Sequence, residues 1–203
     1  MKRIGIFGGT YNPPHIGHLN IVNDFISKYN LDKVLIIPTY IPPHKTSAYL
    51  VSCEDRMEMC KRTFKDDIFE VSSLEIERQG KSYTVDTLKE LIEKNQDSEF
   101  FLLIGDDMLT TFHEWRKPKE ILKMCTVVSA IRSNSLSTQA LIDYAEKNYP
   151  TEYKNGKFKF LYMEPIKLSS TEIRKKIASG ESINGLVSPE AYEYIESRGL
   201  YHD

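Results

Sequence analysis

The chain has 203 residues, 40% hydrophobic and 28% charged, with 27 Lys and Arg against 29 Asp and Glu for a formal net charge of −2. That length and apolar content support one substantial core in a single domain over 1–203, while the near-balanced charge disfavours an extended nucleic-acid surface, so any phosphate must be held locally. No stretch approaches membrane-spanning length, and the apolar run after Met1-Lys2-Arg3 is too short for a signal peptide. The cysteines Cys53, Cys60 and Cys125 are widely spaced, form no metal or redox motif, and fit a reduced, cytoplasmic setting.

Arg3-Ile4-Gly5-Ile6-Phe7 reads as a buried first strand. Gly8-Gly9-Thr10-Tyr11-Asn12-Pro13-Pro14-His15-Ile16-Gly17-His18 follows, with the two glycines allowing a close-approach turn, and leads into a helix over 19–29. A strand over 33–38, ended by proline, completes a βαβ unit. The loop over 39–49 carries Pro42-Pro43-His44-Lys45, and Ser52 caps a helix over 53–64 whose Met57, Met59, Cys60 and Phe64 face inward. A short strand over 68–71 and a polar connector over 74–81 come next. Thr84 is expected to cap a helix with Val85, Leu88, Leu91 and Ile92 as its core stripe.

The run over 99–105 is the most apolar, reads as a central strand, and has Asp106-Asp107 at its carboxyl end. Two short helices near 108–113 and 119–123 are separated by Trp115 and Pro118, and a fifth strand covers 126–131. The region over 133–156 reads as mobile loops around a peripheral helix over 138–148, followed by a sixth, edge strand over 158–163. Ser169-Ser170-Thr171 caps a helix to about Ala178, and Ser188-Pro189-Glu190 opens the last helix, stopped by Gly199. Strand and helix alternate throughout, which predicts a Rossmann-like, doubly wound parallel α/β sheet with its ligand site beyond the carboxyl ends of the strands.

His15 and His18, three residues apart at a helix start, share a face, and two imidazole donors beside backbone N–H groups suit phosphate. The plainer reading is a turn with two surface histidines, but two of five histidines within four residues, after a glycine pair and a first strand, favour a phosphate site. The stretch holds no third metal-ligating side chain. Asp107 suits ribose hydroxyls and a helix N-cap equally. Ser170, Thr171 and Arg174 bring hydroxyls and a cation to a helix start, where ordinary capping is the simpler account. Lys45 with His44 adds cationic reach, with a solvated lysine as the simpler account. Trp115, the single tryptophan, suits either core or a stacking platform.

Taken together these pieces resemble a known family. The stretch from Gly9 to His18 is similar to the signature of the nucleotidyltransferase superfamily with its His-x-Gly-His core, and Ser170-Thr171-Glu172-Ile173-Arg174 is similar to its second signature. Ile37-Pro38, Pro42-Pro43-His44-Lys45, Ser82-Tyr83-Thr84, Gly105-Asp106-Asp107 and Trp115, in that order, resemble the bacterial nicotinate-nucleotide adenylyltransferases. The resemblance runs from Lys2 to about Ile177. It implies that nicotinate mononucleotide attacks the α-phosphorus of ATP in line, giving deamido-NAD and pyrophosphate, with no covalent enzyme intermediate. It implies Mg²⁺ bound with ATP, no nucleic-acid or membrane partner, and helices from about 169 on the ATP side, with the oligomeric state open and a homo-oligomer included.

The matched positions carry the implied roles. Gly8, Gly9 and Thr10 approach the reacting phosphates. His15 and His18 donate to ATP phosphates, and Ser170, Thr171 and Arg174 hold the outer phosphates. Gly105 and Asp107 bind adenosine, and Trp115 stacks on the pyridine. The N–H groups of Thr84 and Arg116 meet the nicotinate carboxylate, and Lys45 lies on the phosphate side. The chain departs from the family where Tyr11-Asn12 replaces Phe-Asp, where Arg116 replaces an aromatic residue, where Ser133-Asn134 replaces Pro-Gly, and where Asp106 replaces Ala and is expected to need solvent. Rival readings are another adenylyl- or cytidylyltransferase of the superfamily, such as one acting on phosphopantetheine, and a nucleotide-binding module without turnover.

Overall fold

Four apolar runs become strands whose central residues are buried, as a parallel sheet covered on both faces requires. The structure is a computed structural model and describes residues 1–41, 49–132, 137–163 and 168–202. In chain order the elements are β1 (Lys2–Gly9), α1 (Ile16–Tyr29), β2 (Lys33–Pro38), α2 (Cys53–Thr63), β3 (Phe69–Val71), α3 (Leu74–Arg78), α4 (Thr84–Lys94), β4 (Ser98–Gly105), α5 (Asp106–Thr110), a 3-10 turn (Phe112–Glu114), α6 (Pro118–Met124), β5 (Thr126–Arg132), α7 (Thr138–Asn148), α8 (Pro150–Lys154), β6 (Phe158–Met163), α9 (Ser170–Ala178) and α10 (Pro189–Arg198).

The strands form one sheet in the order β3-β2-β1-β4-β5-β6, a Rossmann-like arrangement. β4 lies parallel between β1 and β5, with Leu102 opposite Ile6 on one side and Val127 on the other, which is the central position its apolar run predicts. β6 ends the sheet, and with Lys159 and Tyr162 exposed it has the edge position expected of it.

The backbone groups into two compact units, each discontinuous in sequence. The first comprises Met1–Phe7, Asn23–Val34 and Tyr83–Ile166. In it Gly5 accommodates close packing, since a Cβ there would sit 2.7 Å from Leu31 and 2.8 Å from Phe25. The second comprises Gly8–Val22, Leu35–Ser82 and Lys167–Asp203. Its core joins Met59 to Ile173, Ile177, Ile183, Val187, Ala191 and Ile195, drawn from α2, α9, α10 and the segment between the last two. Three of its helices are capped by serine side chains: Ser52 accepts from the Asp55 N–H, Ser169 from Glu172 and Ser188 from Ala191. Gly199 ends α10 at φ 60°, a left-handed turn that costs glycine little.

Three local expectations are corrected. The connector over 74–81 contains a helical turn, α3, because Leu74 is buried and gives a polar stretch one apolar anchor. Tyr83 rather than Thr84 holds the cap position of α4, its carbonyl accepting from the Asp86 and Thr87 N–H groups. On α2 Met59, Cys60 and the capping Phe64 face inward as expected, joined by Arg56 and Thr63, while Met57 is only half-buried.

Candidate active site

The signature loop lies wholly in the second unit, and its turn is made differently from the sequence expectation. Gly8 and Gly9 continue β1, and the left-handed backbone falls on Tyr11, at φ 50°. That conformation is uncommon for a bulky residue, and here it sinks the phenol into the core at 2% exposure. Gly9 is needed for close approach instead: a Cβ on it would stand 3.1 Å from the Tyr11 ring. Burial pushes the Tyr11 hydroxyl pKa well up, so it stays neutral.

His15 and His18 face each other with ring centroids 3.8 Å apart, and Tyr11 meets His18 edge-on at 5.3 Å. The His15 N–H donates to His18 Nδ1 at 3.2 Å. An accepting Nδ1 places the proton of a neutral His18 ring on Nε2. The N–H of Ile16 is spent on the Leu186 carbonyl at 3.0 Å, so this first helical donor serves the scaffold rather than a ligand.

The second signature docks on the same loop. Ser170 Oγ donates to the Pro13 carbonyl at 2.8 Å, and Arg174 Nη1 donates to the Asn12 carbonyl at 2.7 Å while its Nη2 reaches Thr171 Oγ1 at 3.2 Å. Residues separated by 157 and 162 positions are thereby brought together within one unit. Ser169 does the capping, which leaves Ser170 and Arg174 for the loop.

Two residues that sequence reasoning did not assign to the site hold the loop from beneath. Asn12, 3% exposed, donates through Nδ2 to the Tyr49 carbonyl at 2.7 Å, and its Oδ1 accepts from the Val51 N–H at 3.3 Å and from the Tyr201 hydroxyl at 2.8 Å. An aspartate could accept both bonds but could not make the first, so the departure from the family pattern matches its surroundings. Arg56 donates to the Thr10 carbonyl at 2.9 Å. Its signal was available: it lies on the i, i+3, i+4, i+7 stripe with Met59, Cys60 and Thr63.

The remaining site candidates lie in the first unit. Gly105, not Asp107, occupies the cap position of α5, so capping does not account for the exposed Asp107. Asp106 corrects the solvent expectation: it is 1% exposed, and its Oδ1 accepts from the Asp107 N–H at 2.9 Å. Trp115 is half-buried against Phe112 at 5.2 Å, at the margin of an aromatic cluster with Tyr149 and Phe158. Arg116 is exposed, pairs with Asp86 Oδ2 at 3.1 Å and lies 4.8 Å over the Tyr83 ring. Tyr83 and Asp86 flank Thr84, so these contacts bring the Arg116 and Thr84 segments together. Lys45 and His44 lie outside the described residues.

Two thiols are poor nucleophiles. Burial pushes Cys60 well up and Cys125 up to about 12. Among the described residues no group of three His, Cys, Asp or Glu could by itself hold a metal ion.

The model of the cytidylyltransferase-like family matches residues 6–176. A Shouchella clausii protein described as a probable nicotinate-nucleotide adenylyltransferase is 38% identical over 204 residues, covering 100% of this chain and 98% of its own. A Fusobacterium nucleatum protein of the same description is 40% identical over 197 residues, covering 96% and 97%. The solved structure of Plasmodium falciparum nicotinic acid mononucleotide adenylyltransferase complexed with NaAD superposes with a TM-score of 0.73 at 20% identity, covering 99% of this chain and 98% of that one, a likeness of fold. Two signatures meeting on one loop, a matching family over most of the length, and full-length relatives above one-third identity agree: the chain belongs to the cytidylyltransferase-like family and, within it, to the nicotinate-nucleotide adenylyltransferases.

Proposed function

We propose that the chain transfers the adenylyl group of ATP to nicotinate mononucleotide, releasing pyrophosphate and forming deamido-NAD, as a cytoplasmic step of NAD synthesis. The observation that carries this reading is the docking of Ser170 and Arg174 on the Pro13 and Asn12 carbonyls beside the paired imidazoles. The full-length relatives' descriptions support the substrate pair. Among the described residues no helix is long and apolar enough to cross a membrane.

The 5′-phosphate oxygen of the mononucleotide attacks the α-phosphorus, and the bond to the bridging oxygen of pyrophosphate breaks in line. The work of the protein is positioning and charge stabilisation. Gly8, Gly9 and Thr10 bring backbone close to the reacting phosphates. His18, with its proton on Nε2, donates to the α-phosphate as charge builds, beside His15. Ser170, Thr171 and Arg174 hold the β- and γ-phosphates. Arg174 can serve both loop and phosphate because a guanidinium has five N–H donors and the loop takes one Nη1 bond.

Gly105 and Asp107 take the adenosine, Asp107 through the ribose. Trp115 stacks on the pyridine, the N–H groups of Thr84 and Arg116 receive the nicotinate carboxylate, and Lys45 serves the phosphate side. Mg²⁺ bound with ATP would share the triphosphate charge; no described group of three His, Cys, Asp or Glu could hold it by itself, so phosphate oxygens and water would supply most of its ligands.

The test is a panel in which ATP is offered with nicotinate mononucleotide, nicotinamide mononucleotide or phosphopantetheine, and pyrophosphate release is measured. Fastest release is expected with nicotinate mononucleotide. Release with phosphopantetheine alone would overturn the substrate assignment, and release with none would overturn the activity.

A further inference from the structure

Arg56 is fully buried, at 0% exposure, in the middle of a helix stripe otherwise made of Met59, Cys60 and Thr63. Its Nη1 donates to the Thr10 carbonyl at 2.9 Å. Its Nη2 reaches Cys53 Sγ at 3.1 Å and the Tyr40 carbonyl at 3.5 Å, and its Nε has no hydrogen-bond partner among the described residues. All three acceptors are neutral groups. Removing a guanidinium from water is costly, and an apolar side chain of similar volume would fill the same stripe without that cost. Stability alone is therefore a poor account of a cation at this position.

The bond to Thr10 has a geometric consequence. In a trans peptide the carbonyl and the following N–H point in opposite directions. Holding the Thr10 carbonyl against α2 directs the Tyr11 N–H away from α2. A flip of this one peptide would turn a donor into an acceptor at the signature loop, and an acceptor repels phosphate. Tyr11, at φ 50°, sits at the point of the chain where such a flip changes the loop most.

We infer that Arg56 is a positioning residue for adenylyl transfer: it locks the Thr10–Tyr11 peptide with its donor face toward the triphosphate and fixes a positive charge behind it. The inference rests on the proposed binding of ATP phosphates by this loop. Arg56 touches no reacting atom. Its contacts run to the carbonyl of Thr10, in the loop, and to that of Tyr40, just after β2.

Arg56→Met and Arg56→Lys in the full chain test it, with kcat, the KM of each substrate and the melting temperature measured together. For Arg56→Met a kcat about 100-fold lower and a raised KM for ATP are expected, on the scale of losing one preorganised donor. The KM for nicotinate mononucleotide should stay within about twofold and melting should remain near that of the parent, as for buried charges replaced by apolar groups. Arg56→Lys keeps the charge but not the fork, so it should recover only part of kcat.

Parent-like kcat and KM for ATP in Arg56→Met would overturn the inference. If Arg56→Met fails to fold, Arg56→Lys decides: a raised KM for ATP supports the role, and an unchanged one overturns it. The substrate panel separates this from the activity itself, because a parent enzyme that releases pyrophosphate with a different acceptor fails the substrate reading while the ATP side of Arg56 is still read directly.

Discussion

The loop over 10–15 and the segment over 112–117 are held in place by different physics. The first is gripped through its backbone: the carbonyls of Thr10, Asn12 and Pro13 accept from Arg56, Arg174 and Ser170, and the Asn12 side chain is fully engaged. The second is held through side chains, with Phe112 fully buried, Trp115 half-buried against it and Arg116 braced to Asp86 at the surface. The role proposed for the first, handling a transferring adenylyl group, demands fixed dipoles, because reorganisation during reaction would consume the stabilisation. The role proposed for the second, a platform for a flat ring, needs only a face, and area burial supplies most of its contact. The difference implies that the first region tolerates almost no change and the second tolerates much.

The largest expected effect lies in the first region. His18→Ala removes the Nε2 donor proposed for the α-phosphate and should lower kcat by about 100- to 1,000-fold. Melting near that of the parent would locate the loss in chemistry, and unchanged turnover would remove His18 from the mechanism. Next comes Asn12→Asp, which restores the family residue but sets a buried carboxylate oxygen against the Tyr49 carbonyl. A loss of about 1–3 kcal/mol is expected in urea unfolding, the cost of a buried polar group left without its donor role. A neutral result would show that the grip on this loop does not depend on the Asn12 amide.

The second region should respond more mildly. Trp115→Ala should raise the KM for nicotinate mononucleotide about tenfold with the KM for ATP little changed, the scale of one aromatic contact. An equal rise for both substrates would mean that Trp115 serves the fold and not the pyridine. Smallest is Arg116→Ala, which leaves the backbone N–H in place and removes a surface ion pair worth less than about 1 kcal/mol. A large loss of discrimination between nicotinate and nicotinamide mononucleotides would show that the guanidinium itself reads the carboxylate.

The sequence revealed what local pattern controls. β2, β6 and α7 span the residues their patterns predict, and the caps at Ser52, Ser188 and Gly199 fall where a hydroxyl acceptor or a left-handed backbone is needed. What escaped depends on long-range contact. α3 forms because one leucine is buried, which a polar stretch does not announce. Asp106 was expected in solvent because a carboxylate ordinarily is, yet it is buried and accepts a backbone hydrogen bond. The glycine pair suggested the turn, while the left-handed residue is Tyr11, a conformation favoured only once its ring has a core to enter. Arg56 is hard to read from sequence because a charge on an apolar stripe looks like an interruption of the pattern.

The hydrogen bond from the Tyr201 hydroxyl to Asn12 spans 189 positions, nearly the whole chain. A loop around residue 12 is therefore completed by a residue made 189 positions later. During synthesis the histidine pair emerges early but lacks its anchors until α9 and the residues beyond α10 have left the exit tunnel. A chain terminated just before Tyr201 should thus keep most of its sheet and lose most of its turnover.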